Sequence, residues 1–526
     1  MSGSKSKTPV VTRFPPEPSG YLHIGHLQAI YHNLLTAKRQ KGYCILRFDD
    51  TNPASSKQHY VDNMLTVLDQ YGLLKQFANW EKPSYASDYF SQLLNCMEQL
   101  IKQGDAYIDE SSSEEIQRLR STFKPSPYRD TSIDDNLTKW DNFVLGYPPN
   151  AVVRLKISYN NPNGSLRDPI AYRNNIVDSH YRTNRDFNVY PTYDFACPIV
   201  DSLDGVTLAQ RTNEFTDKND LMKWIFKKLP DLNKMPYKSY SRMVFEYSIL
   251  SKRKIRELVE RKIVDDWDDP RLDTLTAELR KGILPASWEN FFTKHGVSNA
   301  NNVEEWDKML SINRKIIDND SKRIMALSQN TWDLIISDLP DEEDNTIKSV
   351  CWNPKDKKGV MGNKDIKLSK YLKIDDMDAK LLKQDDIVYL LNFRALTVTN
   401  VNVEDKMIEV KCYNEEFKFS DIPYKISWLT KDELELSPVE TVYYDYLITK
   451  QYLTKDDKFD DHLNPNTMDL LPLYLSHNQS VLEKHMIIQL VRFGYYIVDS
   501  IEPLRLIHIR EPGNNKQYLL KNRVNF

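Results

Sequence analysis

Cysteine is scarce in this chain and dispersed. Its five cysteines (Cys44, Cys96, Cys197, Cys351 and Cys412) form no C-x-x-C pair and no Cys/His cluster. That spacing argues against a zinc site and against a disulfide framework, and leaves reduced thiols in core positions. Long apolar runs are missing too: no stretch approaches the ~18 residues needed to span a membrane. The first residues, MSGSKSKTP, are polar and lack the apolar segment of a secretory signal. The cytosol is the expected compartment. Nor is there an excess of one charge, since 71 basic residues face 75 acidic ones for a net charge of −4. That balance does not advertise a nucleic-acid binder, so any RNA contact must use a local basic face. A length of 526 residues excludes a single core and predicts three or more domains. Hydrophobic content of 40% with 28% charged residues describes a soluble globular protein.

What is present is organised around one stretch, Arg13 to His26, RFPPEPSGYLHIGH. Val10 to Phe14 reads as a short buried strand. Pro15, Pro16 and Pro18 end its ladder and fix an extended turn. Beyond His26, apolar residues at Leu27, Ile30, Tyr31, Leu34 and Leu35 mark one face of a helix. His23, Gly25 and His26 therefore sit where a strand turns into a helix. The first turn of a helix offers unpaired N–H groups and a positive dipole end, which suits a phosphate. Histidines three apart share a helical face and reach one anion. Gly25 has no Cβ, so a flat ring fits against the backbone there. A histidine pair alone is more often surface polarity than a site.

The whole stretch resembles the HIGH motif of class I aminoacyl-tRNA synthetases, in its glutamyl/glutaminyl branch. The resemblance runs through nearly the whole chain. Tyr43 to Asp50 is almost continuously apolar up to its end, as a central parallel strand should be. With the strand and helix before it, this segment makes a βαβ unit with a right-handed crossover. Asp49 then falls at the carboxyl end of the strand, the edge that holds ligands in open α/β sheets. RFDDTNP is a family segment, which implies that Asp49 faces the ammonium of the amino acid. A helix over Ser87–Gly104 follows, and then a composition shift. Residues 105–188 read as a small α+β insertion with strands around the Asn161-Pro162-Asn163-Gly164 turn. The family uses this insertion to grip the tRNA acceptor end. The parallel sheet is expected to resume at Tyr190, to run into a short helix ended by Gly205, and to continue as a strand from Val206 to Arg211. The next strand is expected from Ser241 to Phe245, carrying Arg242.

Arg211 carries the most information. The resemblance places an arginine here in glutamyl enzymes and a neutral residue in glutaminyl ones. Glutamate has two carboxylates and glutamine has one, and a guanidinium fork pairs bidentately with a carboxylate. Arg13 is expected to add a second guanidinium, and Tyr193 to point its hydroxyl into the same pocket. The phrase DFACPIVDSLDGVT also looks glutamyl. Ile249-Leu250-Ser251-Lys252-Arg253-Lys254 is a basic loop before a helix, and it resembles the KMSKS loop. Lys252 then matches the lysine that follows charge onto the leaving pyrophosphate. Glu17, His23, Gly25, His26, Thr212, Arg242, Leu250, Ser251 and Lys252 are the implied ATP contacts. His23, His26 and Lys252 are the implied catalytic groups. Magnesium should accompany the ATP, with no dedicated protein cage expected.

WDDPR and EWDKMLSINRKIID open a helical region that also resembles glutamyl enzymes, with Asn302 as a helix cap. From about residue 336 the period becomes two, with strands over 387–391, 396–403, 407–412, 424–429 and 486–490. That pattern favours β-barrels. The Asp341–Asp344 acidic run reads as a linker. Tyr443, Tyr444, Tyr446, Arg492, Phe493, Tyr495 and Tyr496 mix aromatics with cations. Anticodon bases could stack on such rings, but barrel packing is the simpler role for each.

The expected fold class is α/β plus all-β. A Rossmann-type catalytic domain occupies 1–104 and 189–254, interrupted by the insertion. Helices span 255–335, and two anticodon-binding barrels span 336–526. The implied reaction activates L-glutamate with ATP and transfers it to tRNA(Glu). A glutaminyl enzyme and a non-catalytic tRNA-binding relative are the alternatives. Three features depart from the family pattern. Leu27-Gln28 follows HIGH where Ala-Lys is usual, Leu208 replaces a frequent histidine, and no N-terminal partner-binding domain is expected from the few residues before the first strand.

Overall fold

The computed structural model describes residues 9–295, 303–435, 438–454, 456–476 and 478–513. Asn302 lies outside them. The chain gathers into two compact units, Met1–Val244 with Phe292–Asn302, and Phe245–Phe291 with Val303–Phe526.

In the first unit, strand Val11–Phe14 lies parallel to Tyr43–Phe48, with Val11 opposite Tyr43. Tyr43–Phe48 pairs in turn with the short strand Ser84–Tyr85. The connecting helix, Ile24–Arg39, buries Ile24, Leu27, Ile30 and Tyr31. Gly42 returns the chain to the sheet against the first strand. A Cβ on Gly42 would stand 1.8 Å from the carbonyl oxygen of Val10, so only glycine fits. The second parallel pair is Ala209–Thr212 with Tyr237–Tyr240. It joins the first strand where the amides of Thr207 and Leu208 donate to the Val11 carbonyl at 3.0 and 3.1 Å.

Between these halves, Ala106–Asp109, Val152–Leu155, Ile170–Asn174 and Val189–Pro191 form a four-stranded antiparallel sheet. Helices Phe90–Lys102 and Ile133–Val144 pack on it through Phe90, Leu93, Met97, Trp140 and Phe143. Two expectations change here. The segment from Tyr190 does not resume the parallel sheet: Val189–Pro191 closes the antiparallel one, and Tyr193–Leu203 is helix despite Pro198. Its apolar residues Phe195, Ala196, Ile199 and Val200 are all buried, and their spacing is a helix's. The strand expected over 241–245 is present only as Val244–Phe245; Tyr237–Tyr240 is a separate strand before it, and Arg242 falls in the coil between them.

The second unit holds helices Lys252–Glu260, Leu275–Arg280 and Trp306–Asp320, then two large curled sheets. One sheet has seven strands and encloses Trp332, Leu334, Val388, Leu396 and Trp428. The other has six strands and encloses Ile324, Ile488, Leu490, Tyr496 and Leu506. The two-residue period begins earlier than expected, at Lys322–Ile324 and Ala326–Ser328. The acidic run is a turn that connects Thr331–Ile336 of the seven-stranded sheet to the separate hairpin strand Ile347–Cys351. Glu343 pairs with Arg394 at 3.2 Å, and Asp344 accepts the Lys370 amide at 2.8 Å.

Candidate active site

The HIGH segment forms a helix start of unusual chemistry. His23 is extended (φ −129°, ψ 173°) and caps the helix rather than joining its first turn. Its Nδ1 accepts from the Gly25 amide at 3.1 Å, and the Nδ1 of His26 accepts from the His23 amide at 3.0 Å. Each histidine thus satisfies an N–H that a serine or aspartate would normally take. With Nδ1 accepting, a neutral ring carries its hydrogen on Nε2. The ring centroids lie 3.9 Å apart, and His26 meets Phe14 edge-on at 6.3 Å. The pair is held as two donors at the positive end of a helix.

Gln28, one of the departures from the family pattern, has a definite role. Its Nε2 donates to the Ser241 carbonyl at 2.9 Å, and its Oε1 accepts from the Met243 amide at 2.9 Å. A lysine could make only the first of these bonds. Gln28 therefore ties the helix after HIGH to the segment that carries Arg242. Arg242 itself is exposed and pairs with Glu214 at 3.2 Å. Glu17 accepts from Ser55 at 3.0 Å, and Thr212 ends the Ala209–Thr212 strand.

Beneath the carboxyl ends of the strands lies a buried network of charge. Arg13 donates through Nε to both oxygens of Asp201, at 3.0 and 3.1 Å, and through Nη1 to the Gln210 carbonyl at 2.7 Å. Arg47 donates through Nε to Asp49 Oδ1 at 2.8 Å, and through Nη1 to Asp201 at 2.8 Å and Asp204 at 3.1 Å. Burial alone would raise Asp201, but the Arg13 and Arg47 guanidiniums hold its carboxyl below the usual range. Cys197 borders both guanidiniums, and burial pushes its thiol up to about 11, so it stays neutral.

Two groups in this network stay open. The Oδ2 of Asp49 is buried and has no hydrogen-bond partner among the described residues. Burial pushes Asp49 up to about 6, against the pull of Arg47. Its neighbour Asp50 is instead used up by the Ser87 amide and hydroxyl, at 2.9 and 2.8 Å, and by Tyr181 at 3.2 Å. Arg211 is the second open group. Its Nη2 donates to Asn219, its guanidinium lies 4.4 Å over the Tyr237 ring, and its Nε has no partner. Among the described residues no carboxylate pairs with it. Burial lowers its pKa, while Cys197, Tyr193 and Tyr237 act the other way. Tyr193 is the first residue of the helix Tyr193–Leu203, its ring 5.9 Å from that of Phe215, and burial pushes its phenol well above the ordinary range.

The sequence expectation of two open guanidiniums becomes one. Arg13 reaches the pocket region, but Asp201 already neutralises it. Asp201, Arg47, Gln28 and Tyr237 were missed. Asp201 had a signal, since it lies four residues after Cys197 on one helix face. Lys252 and Leu250 belong to the second unit, where Lys252 is the first residue of Lys252–Glu260, Ser251 caps that helix and Leu250 is buried.

The profile of class I tRNA synthetases (E and Q), catalytic domain, matches residues 9–319. The anticodon-binding domain profile of the same class matches residues 425–499. The chain is 36% identical over 506 residues to a probable cytoplasmic glutamate–tRNA ligase of Schizosaccharomyces pombe, covering 93% of this chain and 68% of that protein. It is 36% identical over 498 residues to the cytoplasmic glutamate–tRNA ligase of Saccharomyces cerevisiae, covering 94% and 68%. The probable cytoplasmic glutamate–tRNA ligase of Enterocytozoon bieneusi is 36% identical over 507 residues, covering 95% and 77%.

Proposed function

Since the chain belongs to the class I tRNA synthetases of the E and Q family, we propose that it is a glutamate–tRNA ligase: it joins L-glutamate to tRNA(Glu) at the expense of ATP. The observation that carries the choice of amino acid is Arg211, a buried guanidinium with no carboxylate against it among the described residues. An uncompensated buried cation is costly, and a substrate carboxylate removes that cost. A glutamine amide would not. Asp49 Oδ2 is the seat for the ammonium, and Tyr193 closes the wall between them. Arg13, already balanced by Asp201, adds donors rather than net charge.

The first step is in-line attack of the glutamate α-carboxylate on the α-phosphate of ATP, with pyrophosphate leaving. The protein orients the reactants and offsets charge. The Nε2–H groups of His23 and His26 donate to phosphate oxygens. Gly25 allows the nucleotide close to the backbone, with Glu17, Thr212 and Arg242 as further contacts. Lys252, with Leu250 and Ser251, is assigned to ATP by its motif alone. Magnesium bound to the triphosphate would offset part of its charge. The described residues gather no group of three or more metal-ligating side chains. The adenylate then passes its acyl group to the terminal ribose of the tRNA. The anticodon-domain match makes tRNA the macromolecular partner, and we propose the cytoplasm, the compartment in the relatives' names. No helix among the described residues is long and apolar enough to cross a membrane.

Charging assays with labelled glutamate and labelled glutamine, each offered separately with ATP and tRNA, test this reading. Glutamate alone is expected on the tRNA. Charging by glutamine alone refutes the assignment, and no ATP–pyrophosphate exchange in the presence of tRNA refutes an enzyme.

A further inference from the structure

We propose that Tyr237 is a specificity-determining residue of the amino-acid pocket, its ring carrying the Arg211 guanidinium and its hydroxyl donating to the side-chain carboxylate of the substrate. The proposal rests on the glutamate reading above and deepens it. Tyr237 opens the strand Tyr237–Tyr240, which runs parallel to Ala209–Thr212 with Tyr237 opposite Ala209 and Ser239 opposite Arg211. Side chains alternate along a strand, so positions 237 and 239, like 209 and 211, share one face. That register brings Arg211 over the ring, at 4.4 Å from carbon to centroid. Asn219 holds one Nη from the far side. The guanidinium is therefore oriented by an aromatic face and an amide, both neutral, and keeps its charge for a ligand.

The hydroxyl supplies the second half of the argument. It is buried and has no hydrogen-bond partner among the described residues. Buried hydroxyls are rarely left this way. Its electrostatic neighbours are Asp201, Cys197, Arg211 and Arg13, groups of the buried charge network described above. Asp201 is engaged instead by Arg13 on both oxygens and by Arg47 on Oδ1, and no hydrogen bond joins it to the Tyr237 hydroxyl. Burial pushes the phenol well above its ordinary range, so it remains a donor at any working pH. A donor beside an open guanidinium, hydrogen-bonded to no acceptor among the described residues, fits a carboxylate oxygen. A glutamine amide would bring its own donors against Arg211, which has no acceptor.

Two variants of the full chain, assayed by charging with tRNA present, test this. Tyr237→Phe keeps the ring and removes only the hydroxyl. Its KM for glutamate is expected to rise about ten- to a hundredfold, the value of a hydrogen bond to a charged group. Its KM for ATP should not move, a split that a packing defect would not give. Tyr237→Leu removes the platform as well, and is expected to lower the preference for glutamate over glutamine. An unchanged KM for glutamate in Tyr237→Phe overturns the hydroxyl's role. An unchanged preference in Tyr237→Leu overturns the platform. A wild-type chain that does not charge glutamate would instead overturn the reading beneath both.

Discussion

In the first unit, Asp49, Arg211 and Tyr237 each keep a buried polar atom without a partner. In the second unit, a comparable set of aromatics and cations is matched. Arg492 grips Asp378 with both Nη atoms, and the hydroxyls of Tyr443 and Tyr496 meet each other. The Tyr495 hydroxyl donates to Asp318 at 2.7 Å. Tyr446 stacks on Tyr247 at 4.6 Å and carries Arg510 at 3.7 Å. Both sets mix rings with charge, and in the sequence they look alike. The difference is what each set has left over. A matched polar group has its partner in the fold; isolated unmatched atoms such as the Tyr172 and Ser427 hydroxyls occur in both units, but Asp49, Arg211 and Tyr237 fall around one buried charge network.

The sharpest way to break this comparison is at Arg211. Arg211→Ala removes the open guanidinium from a pocket that has paired its other charges. Losing one partner of a buried charge pair costs about 2–5 kcal/mol. The kcat/KM for glutamate should fall by about a hundredfold or more on that scale. The fold should not weaken, because the free protein no longer buries an uncompensated cation. Charging kinetics and a thermal melt of the same preparation check both halves. Normal charging with a lowered melting temperature would make Arg211 a structural residue.

This contrast also marks how far sequence reading reaches. The βαβ start was legible because apolar periodicity and the proline turn both point to it. Asp49 and Arg211 were singled out through the family resemblance; Asp49 follows the strand Tyr43–Phe48, and Arg211 lies within Ala209–Thr212. The sequence cannot reveal who neutralises whom. Asp201 lies 188 residues from Arg13 in the chain, and only the folded helix brings it to the guanidinium. Tyr237 carried no signal, since a tyrosine opening a strand reads as ordinary packing. The helix at Tyr193–Leu203 was hidden by Pro198, which argues locally against helix while the buried face argues for it. The first barrel strands, Lys322–Ile324 and Ala326–Ser328, are only three residues long, too short for a two-residue period to show.

Asp49 gives a medium-sized effect. Burial places its carboxyl at about 6, above the 3.8 of an unburied aspartate. Binding the substrate ammonium requires the ionised form. The KM for glutamate should therefore rise as pH falls through about 6, by up to about tenfold per pH unit below it. The stability linkage runs the other way. The folded state favours the protonated carboxyl, so this group's contribution is full below 3.8 and is lost as pH rises through about 6. Asp49→Asn should abolish the inflection in KM while weakening binding at every pH. An inflection that survives in that variant would belong to another group.

The smallest effect separates two buried tyrosine hydroxyls directly. Tyr495 resembles Tyr237 in being a strand tyrosine beside charged residues, but its hydroxyl has an acceptor in Asp318. Asp318 also faces Arg323 at 3.4 Å, so it keeps a cation when the phenol is removed. Tyr495→Phe should therefore cost about 1 kcal/mol, the net value of one hydrogen bond within the fold. A downward shift of about 2 °C in the melting of the barrel-bearing unit would report it. The KM values for glutamate and ATP should stay at wild type, the reverse of what Tyr237→Phe does. If the two substitutions gave the same pattern, whether a stability loss alone or a KM change alone, a missing partner would not mark a ligand site in this protein.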